Sequence, residues 1–371
     1  MIISDLKIKK FRNIADMKIK PCESVNIIYG KNAQGKTNLL ESIWLFSGQR
    51  PFRNCKDAEM IKFDESFFIN EISFSSFGRE QTAKYVVDKK KTVFLNGIRL
   101  DSIKELTENF PAVVFSPSHM SLIKDGPAER RRFLDSSLIQ IKPGFSNILS
   151  KYNRNVQQRN LILKDYKAHP DVLGMLEIFE DNIAKIGAKI VFQRLVYTDY
   201  LAKSAREIYK GISSGAEGFN IMYNPSFEVE DIDEKSLEKS IRIALIKNRK
   251  EDILNCVTSV GPHRDDIEIL LDGVSARRFG SQGQQRSCVL ALKMGETAVL
   301  EKQTGEKPVI LLDDVMSELD EKRQDYILHH LDNYQVFITC CDPTPLLKLK
   351  KGKAFFIENG TSEEKDVSSF G

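Results

Sequence analysis

Long apolar runs are missing from this sequence, and none approaches the ~18 residues that a helix needs to cross a bilayer. The first residues, Met1-Ile2-Ile3-Ser4-Asp5-Leu6-Lys7-Ile8, alternate as a strand does and lack the apolar stretch of a secretion signal, so a cytoplasmic protein without a membrane partner is expected. Excess charge of one sign is missing too. With 55 Lys and Arg against 52 Asp and Glu, the formal net charge is +3, and nucleic-acid binding would have to rest on a local basic patch. The six cysteines (Cys22, Cys55, Cys256, Cys288, Cys340 and Cys341) include no CxxC pair, which favours small buried hydrophobes in a reducing compartment over metal ligands. There is no internal repeat, no low-complexity tract and no interleaving of aromatic and basic residues of the kind that stacks single-stranded bases.

What is present is enough for a large core. The 371 residues are 41% apolar, which fits one large domain with an insertion, or two lobes. Residues 2–9 and 17–20 read as strands around Phe11-Arg12-Asn13, and Val25-Asn26-Ile27-Ile28-Tyr29 reads as a buried strand running into Gly30. A helix is expected from about Lys36, with Leu39, Leu40, Ile43 and Trp44 at helical spacing. Residues 67–100 alternate, and Asn96-Gly97 is a hairpin turn, so an antiparallel β subdomain is expected. Pro111-Ala112-Val113-Val114-Phe115 is a further buried strand. From about 128 to 212 the pattern becomes helical, with Leu173, Leu176, Phe179, Ile183, Ile186 and Ile190 recurring every three or four residues. That suits a helical hairpin or small lobe without a long coiled-coil arm. Residues 213–235 read as loop, a helix follows near 236–248, α/β character returns at 267–271, and 359–371 read as a polar tail.

Gly30-Lys31-Asn32-Ala33-Gln34-Gly35-Lys36-Thr37 is a complete GxxxxGK[ST] motif between an expected strand and an expected helix, the context that makes it credible. Its glycines let backbone N–H groups turn inward around phosphate oxygens, and the helix N-terminus adds favourable dipole charge. Lys36 supplies a point charge for the β and γ phosphates of ATP, and the Thr37 hydroxyl can ligate Mg2+. A second motif, Pro308-Val309-Ile310-Leu311-Leu312-Asp313-Asp314, is an apolar strand ending in two acids, as expected at the ligand edge of a parallel sheet. Asp313 is the candidate Mg2+ partner and Asp314 the candidate general base or water-orienting group. Most of the chain separates Lys36 from Asp313, which calls for a nucleotide-binding core split by a large insertion. A third motif, Ser281-Gln282-Gly283-Gln284-Gln285-Arg286, opens a helix: Ser281 can cap it, and Gly283 permits close approach of a phosphate. In isolation this would read as plain capping. The order of phosphate loop, insertion, signature, acidic strand and Ser317-Glu318-Leu319-Asp320 is that of ATP-binding-cassette ATPases. In these the signature faces the γ-phosphate held by a partner subunit, which implies an ATP-dependent homodimer.

Several longer stretches resemble the RecF family of bacterial recombination proteins and its SMC-like relatives. They are Leu6-Lys7-Ile8-Lys9-Lys10-Phe11-Arg12-Asn13-Ile14, Phe115-Ser116-Pro117, Asp125 to Asp135, Ser259-Val260-Gly261-Pro262-His263-Arg264-Asp265-Asp266, and the signature itself. The resemblance runs from residue 2 to about 345. It implies an α/β fold: an ABC-type, SMC-head-like P-loop ATPase core with an antiparallel β subdomain and an inserted helical lobe. The expected division is residues 1–120 and 255–371 for the ATPase lobe and 121–254 for the second, mainly helical lobe. It implies an ATP site drawing on Arg12, Asn13, Gly30 to Thr37, Asn38, Ser281, Gly283 and Gln284. It also implies binding to DNA at gapped duplex and single-strand/double-strand junctions, with RecR and RecO as partners and RecA indirectly, in support of replication recovery and SOS induction.

The resemblance implies a DNA-dependent ATPase, and the sequence departs from the wider cassette pattern in ways that point to slow hydrolysis acting as a timer. The signature is not Leu-Ser-Gly-Gly-Gln, the second acid is Asp314 rather than Glu, no Gln is evident near Phe115, and Thr339 stands where many cassettes place a His. For DNA, the basic clusters are Lys89-Lys90-Lys91, at an expected hairpin tip, and Arg130-Arg131-Arg132, read in preference as bracing the second lobe. A transporter subunit would call for the Leu-Ser-Gly-Gly-Gln signature and a membrane partner. An ATPase coupled to a nuclease would call for an added metal-acid domain. A non-catalytic ATP-gated clamp stays open.

Overall fold

A computed structural model describes residues 1–52, 55–166, 174–343 and 352–366. In chain order the first elements are β1 (Ile2–Phe11), β2 (Ile14–Ile19), β3 (Val25–Tyr29), α1 (Lys36–Trp44), β4 (Phe68–Ser76), β5 (Arg79–Val87), β6 (Lys91–Leu95), β7 (Ile98–Arg99), α2 (Lys104–Thr107) and β8 (Ala112–Phe115). Then come α3 (Ser121–Lys124), α4 (Pro127–Ile141), α5 (Phe145–Asp165), α6 (Leu176–Ile212), β9 (Phe219–Asn224), α7 (Glu234–Asn255), β10 (Asp266–Leu271), β11 (Val274–Ser275), α8 (Ala276–Phe279) and α9 (Gln282–Thr304). The chain finishes with β12 (Val309–Asp313), α10 (Glu321–His330), β13 (Val336–Cys340), β14 (Lys353–Glu358) and β15 (Thr361–Asp366).

Two compact units form: Met1–His119 with Glu296–Gly371, and Met120–Gly295. The second unit includes residues 255–295, beyond the 121–254 expected for the second lobe. The first unit holds two sheets. Strict alternation, complete along β4, builds the antiparallel one, ordered β2-β1-β4-β5-β6-β7. Continuous apolar runs such as Val309-Ile310-Leu311-Leu312, buried on both faces, build the other. Its order is β15-β14-β3-β13-β12-β8, parallel except for the edge strand β15. One core serves both sheets: Leu6 and Ile8 of β1, Phe68 and Phe74 of β4, Leu39 and Ile43 of α1, and Leu311 and Phe337 of the parallel sheet belong to one buried cluster.

In the second unit α5, α6 and α7 pack together, and β9-β10-β11 form a small antiparallel sheet. The 37 residues of α6 span about 55 Å at the usual rise per residue. Two expectations need correction here. The stretch 213–235 contains β9 and the start of α7, and residues 267–271 pair antiparallel with β9 instead of rejoining the parallel sheet. Residues 361–366 of the expected polar tail form β15; residues 367–371 lie outside the described residues. Two of the six cysteines, Cys288 and Cys340, are buried as expected, whereas Cys341 is exposed. Among the described residues no helix is long and apolar enough to cross a membrane.

Candidate phosphate-binding site

The chain leaves β3 at Tyr29, turns through residues 30–35 and enters α1 at Lys36. Gly30 and Gly35 have φ of +149° and +117°, and a Cβ on Gly30 would lie 2.3 Å from the Ile357 carbonyl oxygen. Only glycine fits such a position. Lys36 is buried and curls back over the loop, its Nζ donating to the carbonyl oxygens of Gly30 at 2.7 Å and Lys31 at 2.9 Å.

Strand register brings the acids to the loop. Thr339 on β13 pairs with Ile28 of β3 on one side and with Asp313 of β12 on the other. This sets the end of β12 level with the start of the loop. The Thr37 hydroxyl donates to Asp313 Oδ1 at 2.8 Å, and the Thr339 hydroxyl donates to the same oxygen at 2.9 Å. Burial pushes the Asp313 carboxyl above the usual carboxylate range; the two hydroxyl donors oppose this, and the charges of Asp314 and Glu41 add to it. The Asp314 N–H donates to Thr339 Oγ1 at 2.9 Å. Asp314 has φ +52°, an uncommon backbone for a residue with a side chain and one that clusters at functional sites.

The β1–β2 turn completes the floor. Asn38 Nδ2 donates to Asn13 Oδ1 at 2.8 Å, and Asn13 Nδ2 donates to the Ala33 carbonyl oxygen at 3.4 Å. Arg12 forms a bidentate pair with Glu41, at 2.9 and 3.1 Å. Arg12, Asn13, residues 30–38, Asp313 and Asp314 thus converge within the first unit. Ser281, Gly283 and Gln284 belong to the second unit. There, the Ser281 N–H donates to Gln284 Oε1 at 2.7 Å and the Gln284 N–H to Ser281 Oγ at 3.2 Å, a reciprocal cap at the start of α9. Ser281 is exposed and Gly283 half-buried.

The other singled-out residues are mostly structural. Arg130 is buried and bidentate to Asp266 at 2.7 and 2.9 Å, and Arg131 donates to the Asp265 carbonyl oxygen at 2.7 Å. Lys89 and Lys90 stand exposed at the β5–β6 tip. His263 is held between the Tyr152 hydroxyl at 2.7 Å and the Thr258 carbonyl oxygen at 3.0 Å, and burial drives its pKa down to about 4. Arg264 Nε donates to the same carbonyl oxygen at 3.1 Å.

Two contributors escaped sequence reading. Glu41 was readable in principle, as a carboxylate set between Leu40 and Ile43 on a helix whose buried residues are mostly apolar. The Asn359–Gly360 turn, which bonds Gln34, was not, because nothing local ties a polar turn to a loop more than three hundred residues away.

The chain matches the family model described as RecF/RecN/SMC N terminal domain over residues 2–363. It is 40% identical over 345 residues to the DNA replication and repair protein RecF of Acetivibrio thermocellus, covering 92% of this chain and 94% of that one. It is 39% identical over 364 residues to the RecF of a Thermoanaerobacter species, covering 97% and 99%. Among solved structures, the recombination mediator protein RecF in the RecFOR pathway, with ATP, superposes with a TM-score of 0.91 at 37% identity over 98% of both chains. An SMC head bound to the C-winged helix domain of ScpA gives 0.57 at 16% identity, over 98% of this chain and 97% of that one, and speaks for the fold alone. The architecture is accordingly that of an ABC-type, SMC-head-like ATPase fold with parallel and antiparallel sheets.

Proposed function

This chain belongs to the RecF family, and from that premise we propose that it is an ATP-gated, DNA-binding protein of replication and repair. The observation that carries the reading is the 2.8 Å contact between the Thr37 hydroxyl and Asp313. It joins the phosphate loop to the acidic strand end from opposite ends of the chain. The backbone N–H groups of residues 30–37 cradle the phosphates of ATP, and Lys36 exchanges its carbonyl contacts for phosphate oxygens. Arg12, Asn13 and Asn38 shape the floor beside them. Asp314 orients the attacking water.

Mg2+ fits the donor set. A hydroxyl and a carboxylate on adjacent elements are hard oxygen ligands, and among the described residues no cluster of three or more His, Cys, Asp or Glu could hold a metal alone. Two protein oxygens suit a cation that takes its other ligands from substrate phosphates and water. When bound, the ion neutralises charge on the phosphates. Thr37 and Asp313 would hold it, and the burial that raises the Asp313 pKa would be offset by its charge.

Ser281, Gly283 and Gln284 contact the γ-phosphate held by a second copy, so ATP drives dimerisation and slow, DNA-dependent hydrolysis reverses it. The protein acts in the cytoplasm at single-strand/double-strand junctions of gapped DNA, with RecR and RecO, to help load RecA, and so supports replication recovery and SOS induction. Light scattering with ATP, ADP or no nucleotide, with and without DNA, tests the switch. Wild type dimerises with ATP; Lys36→Met loses ATP binding; Ser281→Arg keeps ATP binding and stays monomeric. A Ser281→Arg protein that still dimerises on ATP would sink the shared-site reading. Comparing steady-state hydrolysis by wild type and Asp314→Asn separates an ATPase from a non-catalytic clamp.

A further inference from the structure

The last hairpin of the chain reaches into the phosphate loop. β14 lies parallel to β3, with Phe355 opposite Ile28 and Phe356 opposite Tyr29, so its end is level with the start of the loop. The Ile357 carbonyl oxygen sits against Gly30. The chain then turns at Asn359–Gly360, both with positive φ (+48° and +74°), and both turn amides are spent on one residue. The Asn359 N–H donates to Gln34 Oε1 at 2.7 Å, and the Gly360 N–H donates to the Gln34 carbonyl oxygen at 3.1 Å. A Cβ on Gly360 would lie 2.5 Å from the Asn13 carbonyl oxygen. Asn13 in turn bonds Asn38 and Ala33. These two amide bonds lie outside the β14 ladders, which end at Phe356 against β3 and at the Glu358–Thr361 pair against β15.

We propose that the Asn359–Gly360 turn is a positioning element of the nucleotide site, which clamps Gln34 and so holds the loop amides aligned for phosphate. The physical reason is preorganisation. A six-residue loop that must order itself around a ligand loses conformational entropy on binding, and a loop already tethered at Gln34 loses less. The proposal deepens, and rests on, the reading of residues 30–37 as an ATP site. The turn residues touch the loop, not the phosphates, so they act through Gln34.

The test is titration of a ribose-labelled fluorescent ATP into wild type, Gln34→Ala, Gly360→Val, the double variant and Lys36→Met, with thermal unfolding midpoints measured in parallel. Gln34→Ala removes one acceptor and is expected to weaken ATP binding roughly three- to tenfold, the scale of one hydrogen bond. Gly360→Val drives the turn off Asn13 and weakens it at least as much. The double variant is no weaker than Gly360→Val alone, because both changes open the same clamp. A merely structural turn would lower the unfolding midpoint and leave affinity untouched. Wild-type affinity in both Gln34→Ala and Gly360→Val, with Lys36→Met unable to bind, overturns the clamp and leaves the site reading standing. If wild type binds no ATP, or Lys36→Met binds it equally, the site reading fails and the clamp with it.

Discussion

His263 is a buried imidazole whose two nitrogens are both engaged, by the Tyr152 hydroxyl and the Thr258 carbonyl oxygen. Burial lowers its pKa to about 4, against about 6.5 in the unfolded chain. Between these values the unfolded state holds more protons, so stability is lost as pH falls from 6.5 towards 4. By pH 5 the loss from this one group is about 2 kcal/mol. Urea unfolding at pH 7 and pH 5 checks it: wild type loses more stability than a His263→Gln variant over the same interval. The residue was legible only as part of a family-like stretch. Its neighbours settle its role, and they come from α5 and from the segment just before it in sequence. Asp313 shows the opposite tendency, since burial raises its pKa and favours the protonated form.

Among elements, α5, α6 and α7 are tied by a buried ionic knot. Arg159 is fully buried and bonds Asp252 at 2.7 Å and Glu180 at 3.0 Å, and Glu180 also receives Arg249. Arg159→Met leaves the buried Asp252 without its cation and Glu180 with Arg249 alone, and is expected to cost about 3–5 kcal/mol. Arg242→Ala breaks an exposed pair with Asp181 and costs below about 1 kcal/mol. Chemical denaturation of both variants measures the contrast. The helical spacing of α6 was plain in the sequence because it is local. The destination of Arg130 was less plain, for its carboxylate partner lies 136 residues on. β9 escaped notice for a related reason: it is short, begins just after a turn, and pairs with a strand beyond α7.

On the scale of the whole molecule, the phosphate loop and the acidic strand were legible because each is a contiguous motif with its own flanks. Their meeting was implied by order alone, and the register through β13 supplies the physical reason. The C-terminal hairpin was not legible, because β14 gains its meaning only beside β3. Removing β14 and β15 by truncation after Asp342 is expected to abolish detectable ATP binding and to promote aggregation through the bared edge of β3; nucleotide titration and sedimentation check both. The parallel sheet also bears on how the protein is made. β3 sits between β13 and β14, both encoded far downstream. A growing chain therefore emerges with its nucleotide loop unsupported on both flanks, and such long-range pairing forms slowly. A fragment ending before β12 carries the whole motif but neither neighbour of β3. The loop is thus expected to gain its flanking support only once β13 and β14 have both been made.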